Sequence, residues 1–112
     1  GLHHYDQVKR DINNSLKFIN DQGIVHVHDC LHENIEAQSV PRTITNWNGD
    51  VWRAIIECRT RKDLDTYTCY ADFGIGVIFK RVNLNFLVFI EYPFFHLVSA
   101  LFLTDLLLFS RI

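Results

Sequence analysis

Between Gln7 and Asp21, apolar residues recur at Val8, Ile12, Leu16 and Ile19, while Lys9, Arg10, Asn13, Lys17 and Asn20 occupy the opposite side. That spacing predicts an amphipathic helix over 7–21, with Asp6 as its N-cap, Gly23 as its stop and the apolar stripe turned to a core. Ile24 to His28 then alternates β-branched residues with histidines, which predicts a short strand. Periodicity is lost from Asp29 to Thr45, a stretch containing Pro41 that reads as loop, and Trp47-Asn48-Gly49-Asp50 reads as a turn.

Two runs after this turn, Val51 to Arg59 and Thr66 to Phe73, alternate closely enough to predict a hairpin closed around Lys62 to Asp65. In that register Cys58 faces Cys69, Ile56 faces Ala71, Ala54 faces Phe73 and Trp52 faces Ile75. The reverse face carries Arg53, Glu57, Arg59, Thr66, Thr68 and Asp72, interrupted only by Ile55. Cysteines opposed in this way meet disulfide geometry, so a Cys58 to Cys69 bridge is expected with Cys30 left over. Gly74 and Gly76 bracket Ile75 and mark a bulge or a close backbone approach before a strand resumes at Val77 to Val82. Asn83 to Tyr92 is expected to be a further strand.

The resulting order, a helix followed by strands, defines an α+β fold with one N-terminal helix packed on a small antiparallel sheet. It resembles the cystatin topology without its first strand. The Gln, Val and Gly of that family's protease-binding hairpin are missing, as is its Pro-Trp pair, so the resemblance implies an architecture and no inhibitory function.

The chain becomes almost wholly apolar after Arg81 and carries no further Lys or Arg until Arg111. Pro93 divides this region, and the 17 residues from Phe94 to Ser110 would measure about 26 Å as a helix, near the lower limit for crossing a hydrocarbon core. An apolar C-terminal helix is therefore expected, docking through Phe94, Phe95, Leu97, Leu101 and Leu108 into a membrane or a protein partner. This divides the chain into an α+β domain over 1–82 and an apolar segment over 83–112. Asp105, near the end of the segment, is expected to face protein or the membrane edge.

Composition narrows the classes further. The 112 residues suffice for a single domain plus an anchor. A formal charge of −2 with scattered basic residues provides no field for collecting nucleic acid, so none is expected as a partner. Methionine is absent even from position 1, as expected of a processed or excised product.

Ligand-type side chains are dense only in His26-Val27-His28-Asp29-Cys30-Leu31-His32-Glu33. His26 and His28 share a strand face, and a turn after Asp29 would bring Cys30, His32 or Glu33 round to complete a zinc site. The His-x-His pair resembles the metal-binding element of amidohydrolases and metallo-β-lactamases, whose folds need a much longer chain. No serine or cysteine nucleophile has a base at readable spacing, and no glycine-rich phosphate loop opens a helix. The sequence therefore favours a non-enzymatic interaction or accessory module, extracytoplasmic and membrane-associated, needing no cofactor. Its alternative is a zinc-binding protein or metal-dependent hydrolase using His26, His28 and His32. Self-association is left open.

Overall fold

The computed structural model describes residues 2–84. Helix α1 (Tyr5–Phe18) is followed by strand β1 (Ile24–Val27), a single 3-10 turn over Glu36–Gln38, helix α2 (Trp52–Arg59), and strands β2 (Asp65–Cys69) and β3 (Ile75–Phe79). The strands form one antiparallel sheet in the order β1-β3-β2. The α+β class holds, built from two helices and three strands. β1 and β2 run parallel to each other with β3 between them, and the connection from β1 to β2 passes through α2.

Helix α1 forms for the reason its pattern gives. Ile12 and Leu16 are buried, and Val8 and Ile19 pack partly buried against the same core. Its ends are shifted by three residues or fewer. Asn20 accepts the Gln22 N–H at 3.0 Å, an Asx turn that diverts the backbone before Gly23. The N-cap is His4 rather than Asp6, and its side chain makes no capping bond. A distant residue does that work, because Asp50 Oδ1 accepts the Tyr5 N–H at 2.7 Å.

The segment expected as the first strand of the hairpin is instead α2. Val51, Ala54, Ile55 and Cys58 all join the core cluster, at the i, i+3, i+4, i+7 spacing of one helical face. Ile55, the residue that broke the alternation, carried this signal. β2 consequently pairs with β3, joining Tyr67 to Val77 and Cys69 to Ile75. Cys58 and Cys69 sit on different elements, the register that opposed them is not formed, and all three cysteines are thiols. The cystatin-like order falls with it, since a second helix stands where two strands were expected to meet. The strand expected over 83–92 and the helix over 94–110 lie outside the described residues, apart from Asn83 and Leu84.

The core lies on one face of the sheet. Ile12 and Leu16 of α1 meet Val51, Ala54, Ile55 and Cys58, and these meet Ile78, which is fully buried on β3. The two glycines expected to mark a special backbone have different roles. A Cβ at Gly76 would lie 2.5 Å from Ile55 Cδ1 and 3.0 Å from Cys30 Sγ, so this glycine permits close packing of α2 and leaves the strand unbroken. Gly74, with φ at 80°, closes the β2–β3 turn.

At the top of the helix pair, Lys9 Nζ lies 2.7 Å from Glu57 Oε1, and the Tyr5 hydroxyl donates to Oε2. Burial alone would raise the Glu57 carboxyl, but the hydrogen bonds from Lys9 and Tyr5 outweigh it and hold the group below its ordinary value. This clasp fixes α1 against α2.

Candidate functional site

The chemistry-bearing residues gather where β1 ends. The chain turns sharply there because Asp29 adopts a φ of 64°, and the facing β2–β3 turn contains Asp72 and Phe73 at 43° and 60°. Three non-glycine residues in the left-handed region around one histidine are unusual and strained, as at sites where a surrounding structure over-determines the backbone. Two backbone bonds provide that structure: Cys30 N–H donates to Gly74 O at 3.0 Å and Leu31 N–H to Phe73 O at 2.8 Å.

His28 occupies the middle. Its Nδ1 lies 3.1 Å from Asp29 Oδ2 and its Nε2 lies 3.1 Å from Asp72 Oδ2, so both ring nitrogens face acceptors and only the doubly protonated ring can donate to both. The hydrogen bond to Asp29 raises the His28 pKa above its ordinary value, burial opposes the rise, and Asp72 reinforces it. Phe73 packs edge-on against the imidazole. Asp29 in turn collects other elements: Asn48 Nδ2 donates to its Oδ1 at 2.7 Å, and His3 Nε2 lies 3.5 Å from its Oδ2. The His3 ring stacks on Trp47 and its Nδ1 is 3.1 Å from the Trp47 carbonyl oxygen. One carboxylate thus ties together the N-terminus, the 47–50 turn and the end of β1.

Of the expected metal ligands, two come together and one does not. His26 and His28 line the same groove of about 410 Å³ between α1 and β1, with His3, Asp11 and Asp29 also on its walls. His32 lines a separate hollow of about 370 Å³ beside Glu33, Tyr70 and Phe73, its ring tilted against Trp52. Burial lowers the His32 pKa, and its Nδ1 finds no partner among the described residues. Among those residues no group of three or more His, Cys, Asp or Glu side chains is arranged to hold a metal ion. Cys30 points the other way, into the core, where its thiol donates to Val27 O at 3.1 Å and burial pushes its pKa up to about 12. Such a thiol is a packing group rather than a nucleophile.

Asp72, Asn48 and His3 were not legible as parts of this site. Asp72 and His28 are separated by 44 residues, and only the β2–β3 turn brings them within reach. Compared with known proteins, the chain matches no family, no curated protein and no solved structure.

The latch carries a pH prediction. Because the folded pKa of His28 is raised, its contribution to stability is complete below an unfolded value of about 6.5 and is lost as pH rises through the folded value. In an NMR titration Asp72→Asn should move the His28 midpoint down toward that unfolded value. An unchanged midpoint would show that Asp72 has no share in the shift.

Proposed function

We propose that the chain is a non-enzymatic interaction or accessory module, extracytoplasmic and membrane-associated, in which residues 1–82 form the folded domain. The 83–112 segment docks through an apolar helix over 94–110, at Phe94, Phe95, Leu97, Leu101 and Leu108, into a membrane or a protein partner. The carrying observation is the absence of any Lys or Arg from Val82 to Ser110, a largely apolar stretch of 29 residues. The geometry of the site supports the same reading: His28, Asp29 and Asp72 hold one another, and their bonds join separate parts of the backbone. No helix among the described residues is long and apolar enough to cross a membrane, so the membrane reading rests on the C-terminal segment.

The zinc reading retains one supporting observation, that His26 and His28 line one groove together. Two measurements on the full chain separate the readings. An interaction module should float with phosphatidylcholine and phosphatidylglycerol vesicles, lose that flotation in Leu101→Lys, and contain no stoichiometric zinc after purification. One zinc per chain, lost in His28→Ala, would overturn this reading in favour of the metal protein. A monomeric chain that neither floats nor binds zinc would remove the membrane and zinc readings and leave docking to a protein partner.

A further inference from the structure

The sheet has a second face, apolar along its central strand, and the cluster that α1 and α2 build does not include it. Strand β3 reads Ile75-Gly76-Val77-Ile78-Phe79, apolar or glycine at every position, where a strand with one solvated face would alternate. Ile78 points into the core beneath α2. Ile75, Val77 and Phe79 point the other way, flanked in register by Ile24 and the exposed His26 on one side and by Asp65, Tyr67 and Cys69 on the other. Val77 is only 6% exposed, yet it is not part of the cluster that α1 and α2 build with Ile78. Tyr67 and Phe79 pair their rings at 5.8 Å over this second face, and Arg81 lies across Phe79 at 4.1 Å. A near-continuous apolar strand at the centre of a sheet requires cover on both sides, and the described helices supply it on one.

We infer that this face is the docking site of the chain's own apolar segment, residues 94–110, when that segment is not engaged by a membrane or partner. The inference rests on the proposed function and adds to it a sheltered state. Connection and size both fit. The described chain ends at Leu84, next to Asn83, whose side chain donates to the carbonyl oxygens of Arg59 and Arg61 at the end of α2, and the ten residues from Asn85 to Phe94 reach up to about 33 Å when extended, more than the width of the sheet. Three strands span about 10 Å across, with five-residue strands about 17 Å long, which is the footprint of one helix. The 17 residues from Phe94 to Ser110, about 26 Å as a helix, cover that footprint. The segment has no Lys or Arg, and its apolar side chains and those of Ile24, Tyr67, Ile75, Val77 and Phe79 each remove the other's apolar surface from water, with His26 and the Asp65–Arg81 pair on the flanking strands.

Cys69 supplies a reporter on this face, since Cys30 and Cys58 are buried and burial pushes their thiols up to about 12 and about 11. In full-length protein carrying Leu101→Cys, a short bismaleimide should produce an intramolecular cross-link in detergent-free buffer, and Cys69→Ser should abolish it. Leu97→Cys serves as a second position should the first variant fold poorly. A cross-linked dimer would overturn the inference, because it assigns the face to a second copy. So would the absence of any cross-link while Cys69 and the introduced thiol each accept a monofunctional maleimide. Repeating the reaction with phosphatidylcholine and phosphatidylglycerol vesicles separates the two readings. Loss of the intramolecular cross-link supports both, and its persistence supports the sheltered state while refuting membrane docking. Flotation without any cross-link in buffer refutes the sheltered state alone.

Discussion

Ile78→Ala is expected to lower the unfolding free energy by about 2 to 5 kcal/mol, among the largest effects of a truncation in the described fold. Ile78 is fully buried on the central strand, paired with Val25 on one side and Thr66 on the other. It shares a cluster with Ile55 of α2 and with Ile12 and Leu16 of α1, so the cavity left by truncation would be lined by three elements at once. That lining has little freedom to collapse, because Gly76 has already brought α2 as close to the sheet as the backbone permits. Urea denaturation monitored by tryptophan fluorescence gives the value. Val82→Ala, at a residue 71% exposed, is the control and should stay within about 0.5 kcal/mol of the parent. A loss at Ile78 no larger than the control's would mean that this core is not the centre of stability.

The second large effect is expected at Gly49, where the Asn48-Gly49 turn meets the N-terminal segment. Its φ is 66°, and a Cβ there would lie 1.7 Å from the carbonyl oxygen of His3. Gly49→Ala meets two penalties: the left-handed backbone costs an L-residue about 1 to 2 kcal/mol, and the clash is with backbone, which no rotamer change relieves. The expected outcome is displacement of residues 2–4 from the turn. The His3 contact with Asp29 and the Asp50 cap on α1 would weaken together. Amide hydrogen exchange should then rise in the first turn of α1, and the fluorescence of Trp47 should change as His3 leaves its ring. Unchanged exchange at Tyr5 to Val8 would show that the turn does not hold the helix.

Much of this architecture was legible from local pattern. The stripe Val8, Ile12, Leu16, Ile19 reads as a helix face and is one, and the β-branched alternation at Ile24 to Val27 reads as a strand and is one. The misreading at Val51 to Arg59 has a definite cause. Eight or nine residues with apolar positions at 51, 52, 54, 55, 56 and 58 satisfy a period of two nearly as well as a period of 3.6, and a short apolar run does not separate them. Tertiary burial decided it, because α2 is covered on several sides and needs no polar stripe. From that substitution follow the loss of the Cys58 and Cys69 register and the new partner of β2.

The histidine cluster shows the same division. Local sequence determined that His26 and His28 share a strand face, since alternation is a property of the extended backbone alone. It also determined the amphipathic helix and the loop that follows β1. Tertiary structure alone decided what His28 touches, because Asp72 arrives by the β2–β3 turn and Asn48 and His3 arrive by a turn and a terminus remote in the chain. It likewise decided that Asp50, and not Asp6, caps α1. Spacing along the chain records which residues are neighbours within one element. Contacts between elements depend on how the helices and sheet bury their apolar faces together, and that packing is written in the whole chain at once.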